Sequence, residues 1–465
     1  MKKKKEITGL TIDDLEYEGR GVGRADGKVI FVEDALPGEV VDVRVTRNKR
    51  DHAFGIVTAF HTISDKRVQP FCEHFQDCGG CRWQYLSYDD QLSFKHYFVS
   101  QIMRRIGKVD GLELEPILGC ERDRFYRNKL EFSFTNNRWL SREEVDSGKD
   151  AGDRRGLGLH VRGRFDKIID INTCHLQEAP SNEIRLAVRD FARENEMAFY
   201  DPVNQSGFLR SLIIRTALTG ETMIVPVFAA EDTRLREALL DFLAERFAPT
   251  SISYIINSTA NDSVAALEVH EYAGRSYIEE ACGHIRLMIH AKSFYQTNSY
   301  QAVRLYTLVR EWAALSGSEL VYDLYCGIGS IGLFLADACR EVVGIDNVEE
   351  AIVKARENAA HNNVANAQFY TGEVETVATD SFFSRHGQPD LVILDPPRAG
   401  IHPSVIQTLL QHSPPRIIYV SCKPSTQARD VLALRERYDI VRARPVDMFP
   451  QTYHIENVME LRLRD

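Results

Sequence analysis

The strongest constraint on this chain is a change of period near residue 286. Beyond it, ELVYDLYCGIGSIGLFLA reads as strand, Gly-rich turn and helix, EVVGIDNVEEAIVKARENA as strand and helix, and DLVILDPPRAGI and RIIYVSCKPST as further strands. Alternating strand and helix signals specify a doubly wound sheet. Such sheets bind ligands beyond the carboxyl ends of their strands. This chain puts its reactive residues there: Asp323 and Asp346 at two strand ends, Asp395 at a third, and Cys422 just past a fourth, in the turn Ser421-Cys422-Lys423-Pro424. The segment PVDMFPQTYHIENVMELRL closes the chain as a hairpin-like pair of strands carrying His454 and Glu456.

Gly327, Gly329 and Gly332 keep the first turn free of side chains, a pattern shared with dinucleotide enzymes. Asp346 stands where a ribose hydroxyl pair would lie. The turn Asp395-Pro396-Pro397-Arg398 favours S-adenosylmethionine over a dinucleotide, because a polar-Pro-Pro turn in nucleotide-modifying methyltransferases faces the target base. A cysteine beside that site suits uracil. Carbon 5 of uracil is a poor nucleophile until a thiolate adds to carbon 6. The thiol, with an ordinary pKa of about 8.5, must be deprotonated for that attack, and Lys423 is the adjacent charge. The carbon 5 proton must then leave, and Glu456 is the natural base. The target base has to leave its stack to reach such a pocket.

Upstream, residues 1–62 carry short β-type runs broken by Gly19, Gly21, Gly23, Asp26-Gly27 and Pro37-Gly38, the pattern of a small β-barrel. Lys2 to Lys5, Arg44, Arg47, Lys49 and Arg50 are candidate phosphate contacts. The net charge of −10 means that any nucleic-acid surface is local. The basic start MKKKKEITGL has no apolar stretch after it and no run is long enough to span a bilayer, so a cytoplasmic protein with no membrane contact is expected.

The nine cysteines are an odd number, and clustered ones are read as metal ligands or nucleophiles rather than disulfides. FCEHFQDCGGC holds Cys72, Cys78 and Cys81; Cys120 and Cys174 are the candidates for a fourth ligand, and IIDINTCHL around Cys174 matches better. All-thiolate ligation means zinc or an iron–sulfur cluster. The spacing departs from two CxxC pairs and sits closer to a [4Fe–4S] arrangement.

Residues 63–285 read as mixed α+β. A helix over about 86–107 shows an apolar face of Tyr88, Leu92, Phe94, Tyr97, Phe98 and Ile102, which can pack on the carboxyl-terminal half. DRFYRNKLEFSF interleaves Arg122, Arg124, Arg127 and Lys129 with aromatics, a composition suited to single-stranded RNA. The polar stretch 141–156 reads as a loop, SGFLRSLIIRTA with GETMIVPVFA as a β-hairpin, and residues 233–247 as a helix.

With these motifs in order, together with SFYQTNSYQA, YRNKLEFSF and HIENV, the chain resembles the RNA uracil-5-methyltransferase family, and within it the branch acting on 23S rRNA. The stretch EGRGVGRADGKVIFVEDALPGEVVDVRV is similar to TRAM domains. The resemblance implies an α/β fold: a Rossmann-like S-adenosylmethionine methyltransferase sheet (286–465), an N-terminal TRAM/OB-like barrel (1–62) and a mixed α+β central domain (63–285). It implies Cys422 as nucleophile and Glu456 as base, Gln296, Tyr325, Asp346 and Asp395 at the donor, and Cys72, Cys78, Cys81 and Cys174 around a [4Fe–4S] cluster. The expected partner is 23S rRNA with a flipped-out uridine, met by a monomer. The chain departs from the family pattern at Asp346, where glutamate is common, and at Ser330, where asparagine is common.

Overall fold

The computed structural model describes residues 5–148 and 152–464. Strands β1 (Glu6–Leu15), β2 (Gly21–Ala25), β3 (Lys28–Glu33), β4 (Val40–Asn48) and β5 (His52–Thr62) close into a barrel in the order β1-β2-β3-β5-β4. Its interior follows the two-residue period: Leu10 and Ile12, Ile30 and Val32, and Val41, Val43 and Val45 are all buried. Asp26 and Gly27, with φ of 51° and 72°, form the tight β2–β3 turn. Of the expected phosphate contacts, Lys2, Lys3 and Lys4 lie outside the described residues; Lys5 pairs with Asp26 at 2.7 Å.

Helix α1 (Tyr88–Arg105) starts at Ser87, whose hydroxyl accepts from the Asp90 amide. Its buried residues are Gln91, Lys95, Phe98, Val99 and Met103, while Tyr97 is exposed. The buried face is therefore rotated from the apolar one. Gln91 and Lys95 go inside because each finds partners there. The Gln91 amide donates to the Trp83 and Leu86 carbonyls and to Gln451 Oε1, and Lys95 pairs with Asp447.

The central sheet has β6 (Lys129–Thr135), β7 (Gly156–His160), β8 (Ile168–Asp170), β9 (Leu209–Thr216), β10 (Thr222–Phe228), β11 (Ser251–Ile256) and β12 (His270–Gly274), in the order β12-β11-β10-β9-β6-β7-β8. β9 and β10 are the expected hairpin. The polar stretch read as a loop contains a short helix, α2 (Arg142–Asp146), nucleated by a capping box between Ser141 and Glu144; residues 149–151 of that stretch lie outside the described residues. Helices α3 (Ser181–Glu194) and α4 (Thr233–Phe247) cover the sheet, with Phe191 stacked on Phe242 at 4.2 Å.

A hairpin, β13 (Tyr277–Cys282) and β14 (Ile285–His290), leads to α5 (Ser299–Ala313). Then follow β15 (Leu320–Leu324), α6 (Ser330–Leu335), β16 (Glu341–Asp346), α7 (Glu349–His361), β17 (Ala367–Thr371), α8 (Val374–Val377), α9 (Asp380–His386), β18 (Leu391–Leu394), α10 (Pro403–His412), β19 (Arg416–Ser421), α11 (Pro424–Leu434), β20 (Tyr438–Val446) and β21 (Glu456–Leu463). The sheet order is β17-β16-β15-β18-β19-β21-β20. The first five strands are parallel, and β21 runs antiparallel to both β19 and β20. Helices bury both faces, which is why β15, β18 and β19 read as continuous apolar runs. Among the described residues no helix is long and apolar enough to cross a membrane.

Candidate active site

One edge of the carboxyl-terminal sheet gathers the candidate residues. β15 has β16 on one side and β18 on the other, so the crevice beyond its carboxyl end is the switch point of the sheet. Asp323 is in β15, Asp346 ends β16, Asp395 follows β18 and Cys422 follows β19. Glu456 joins them because β21 runs the other way: its first residue lies where β19 ends, with Ser421 opposite Asn457.

The turn after β15 is shaped to receive a ligand. Gly327 has φ of 54°, and a Cβ there would meet nothing within 4 Å, so space stands open over the loop. Its amide donates to Asp346 Oδ2 at 2.9 Å, while Asp346 Oδ1 accepts from the Val348 amide at 2.9 Å. Each oxygen keeps a second lone pair for a ribose hydroxyl. Asp323 Oδ2 accepts from the Gly332 amide at 2.8 Å, and its Oδ1 is buried with no partner. An orphaned carboxylate oxygen and an open glycine cradle suit a donor bearing hydroxyls and a cationic sulfonium. Ser330 spends its hydroxyl on Tyr306, 3.1 Å away. Gln296 is buried in the loop before α5, and its carbonyl accepts from the Asn128 amide at 2.8 Å. Tyr325 adopts a left-handed φ of 68°. Its phenol is pushed up to about 12 by burial, with the Glu375, Asp430 and Glu373 charges adding to it.

Carboxylates crowd this edge. Burial raises the Asp323 pKa to about 7, with the Asp346 charge adding to it. Burial and the neighbouring Asp323 raise Asp395 to about 7. Glu456 is driven well above the usual carboxylate range by burial and by Asp395, with Arg398 opposing. Cys422 is raised to about 11 by burial and by the Glu456 and Asp395 charges, while the Arg398 guanidinium opposes them. Cys422, Glu456 and Asp395 are thus brought together, with Arg398 as the counter-charge to Cys422 and Glu456. The Lys423 side chain, the charge expected from sequence to help the thiol, is exposed, and the cation at the sulfur is Arg398. Its signal was the arginine directly after Asp395-Pro396-Pro397. His454 is lowered to about 4 by burial and by Arg398, Lys95 and Arg127, so it is neutral at pH 7.

The basic run leading into β6 is largely engaged within the protein. Arg122 pairs with Glu178 and lies 4.2 Å over the Tyr300 ring, Arg124 lies 4.0 Å over Phe71, and Arg127 turns toward Phe449. The backbone here is a bridge. The Arg127 amide donates to the Leu176 carbonyl at 2.7 Å, and the next amide, of Asn128, donates to Thr297 at 2.8 Å.

Cys72, Cys78, Cys81 and Cys174 all line one small cavity, together with Phe75, Leu159 and Ile171. Burial is the main reason all four thiols are raised, Cys78 and Cys81 to about 12, and their charges act on one another. Among the described residues no group of three or more His, Cys, Asp or Glu side chains is arranged to hold a metal ion. Cys120 stands apart, its thiol donating to the Asp447 carbonyl at 2.9 Å.

Comparison with known proteins agrees with this geometry. Residues 282–463 match the model of the tRNA (uracil-5-)-methyltransferase family, and residues 5–58 match the TRAM domain. An uncharacterized RNA methyltransferase of Porphyromonas gingivalis is 48% identical over 460 residues, 97% of this chain and 99% of its own. Another, of Bacteroides thetaiotaomicron, is 45% identical over 454 residues, 97% and 100% of the two chains. The tRNA (uracil-54, C5)-methyltransferase of Pyrococcus abyssi, solved with S-adenosyl-L-homocysteine, aligns with a TM-score of 0.77 at 30% identity, covering 98% of this chain and 100% of that one.

Proposed function

The chain belongs to the RNA uracil-5-methyltransferase family and uses S-adenosylmethionine, and from that premise we propose that it methylates carbon 5 of a uridine in 23S rRNA through a covalent bond to Cys422. The observation that carries this reading is the meeting at one end of the sheet of Cys422, directly after β19, with Glu456, the first residue of the antiparallel β21.

As the Cys422 sulfur adds to carbon 6 of the flipped uracil, the thiol proton passes to water and the Arg398 guanidinium steadies the developing thiolate, while the ring's electron pair moves toward carbon 5 and oxygen 4. The donor supplies an electrophilic methyl group; carbon 5 takes it, and S-adenosylhomocysteine leaves. Glu456, whose buried carboxylate is strongly basic, removes the carbon 5 proton. The returning electrons expel the Cys422 thiolate and restore the ring. Asp346 and the Gly327 turn would hold the donor ribose, with Gln296 and Tyr325 as its further contacts and Asp395 toward the base.

We propose that Cys72, Cys78, Cys81 and Cys174, which line one cavity, would hold a [4Fe–4S] cluster. Thiols held protonated by burial are relieved by binding a cation. A single zinc ion needs a tight tetrahedron, whereas a cluster of four irons spaces its thiolates more widely. A cluster held there would brace the Cys174 segment, whose Leu176 carbonyl accepts from the Arg127 amide next to the donor-side loop.

The barrel and the cysteine set support 23S rRNA as the substrate. The relationship to the Pyrococcus abyssi enzyme favours tRNA as the second reading. Labelled S-adenosylmethionine, offered with unmodified 23S rRNA and unmodified tRNA in parallel, decides between them. Label in 5-methyluridine of 23S rRNA is expected; label in tRNA alone moves the substrate, and label in neither removes the proposal.

A further inference from the structure

The β1–β2 turn of the barrel is fastened to the catalytic segment through a shared loop. Tyr85 donates its hydroxyl to the Gly19 carbonyl at 3.1 Å. A side chain at Gly19, whose φ is 88°, would strike the Trp83 indole at 2.0 Å. The amides of Arg82 and Trp83 donate to the Gln451 carbonyl at 2.8 and 3.1 Å. Arg20 stiffens the turn by pairing with Glu16, Glu18 and Glu33 at 2.7 to 2.8 Å. One loop, directly after Cys81, thus grips both the barrel turn and the stretch leading to Glu456.

Tyr17 is the residue this clamp presents. Its ring meets Phe98 of α1 edge-on at 6.0 Å and Tyr453 at 5.9 Å. Burial and the charges of Glu456, Tyr453 and Cys422 raise its pKa, and Arg398 opposes them. It remains partly exposed, and among the described residues its hydroxyl makes no hydrogen bond. A neutral aromatic with a free donor, packed on Tyr453 three residues before Glu456, is suited to contact a flat base with carbonyl acceptors.

We propose that Tyr17, supplied by the RNA-binding barrel, forms one wall of the pocket for the target uracil and donates its hydroxyl to the base. This rests on the reading of Cys422 and Glu456 above. It makes the barrel part of the active site as well as a grip on RNA.

Two measurements on the full chain test it. In single turnovers with saturating S-adenosylmethionine and unmodified 23S rRNA, Tyr17→Ala is expected to slow methyl transfer by about tenfold or more while RNA affinity by filter binding changes less than about threefold. Tyr17→Phe should recover much of the rate, because it keeps the wall. In the protein without RNA, Tyr17→Ala should speed alkylation of Cys422 by iodoacetamide several-fold, and Tyr17→Phe should not. A Tyr17→Ala protein with wild-type transfer and wild-type alkylation overturns the proposal. So does one whose RNA affinity, donor affinity and unfolding midpoint fall together, the signature of a packing residue alone. Absence of methylation by the wild-type chain defeats the reading of its function, and the alkylation rates then still judge the wall.

Discussion

Lys95 Nζ lies 2.6 Å from Asp447 Oδ1, and both side chains are shut off from solvent. The same ammonium donates to the Phe449 carbonyl at 3.1 Å, and Asp447 also accepts from Tyr88 at 2.9 Å and from the Phe449 amide at 3.0 Å. The pair joins α1 to the segment that carries the chain from β20 to Glu456. Replacing Lys95 with Met leaves a buried carboxylate without its counter-charge, a loss of about 3–5 kcal/mol. The expected outcome is a lower denaturant midpoint for Lys95→Met, partly restored when Asp447→Asn is added. Equal midpoints for wild type and the single variant would contradict it.

Removing the base should stop the reaction half-way. Glu456→Gln cannot take the carbon 5 proton, so the Cys422–uracil bond persists. Denaturing gels of this variant with its RNA should show a slow band that Cys422→Ala abolishes. Absence of the band, with methyl transfer intact, would assign the proton to another group.

Arg398 is the group that opposes the burial and the two carboxylates acting on Cys422. Arg398→Met should therefore move the thiol further above about 11. Iodoacetamide alkylation of Cys422, followed against pH by mass spectrometry, should need a higher pH in the variant. Overlapping profiles would remove Arg398 from the activation of the thiol.

Burial holds the protons of Asp323 and Asp395 on, raising both carboxyls to about 7. A sulfonium cation beside them favours the ionised forms, so donor binding releases protons. Affinity for S-adenosylmethionine should rise with pH through neutrality, by roughly tenfold per carboxyl between pH 6 and 8, and level off above. S-adenosylhomocysteine lacks the charge and should show a flatter profile in calorimetry. Parallel profiles for the two ligands would contradict the coupling.

Anaerobic preparations should be brown and hold about four irons per chain. Cys174→Ser should lose colour and iron while Cys120→Ser keeps both. Zinc in place of iron in wild-type preparations would overturn the assignment of the cavity.

The sheet was legible because buried parallel strands leave continuous apolar runs, and the polar residues that interrupt them, Asp323, Asp346 and Asp395, stand at their ends for a reason. Cys422 and Glu456 were legible as chemistry. Their meeting depends on the direction of β21, which only pairing reveals. The face of α1 was misread because periodicity counts apolar residues, whereas Gln91 and Lys95 are buried by partners 360 and 352 residues away in sequence. Tyr17 left no signal at all: one aromatic in a polar turn has meaning only when the Trp83–Tyr85 loop is seen to hold that turn against the other end of the chain.

β21 alternates its faces, so Glu456, Val458 and Glu460 point the same way. Glu460 is fully buried and is held by Arg442 at 2.7 Å and Arg416 at 3.1 Å, from the strands on either side. A slip of one residue would turn Glu456 away from Cys422 and drive Glu460 into apolar packing at the same stroke. The two arginines therefore act as a detent on the strand. They keep the catalytic carboxylate in phase from four positions down the chain, and a lesion at Arg442 would be felt as lost turnover without any contact with RNA or donor.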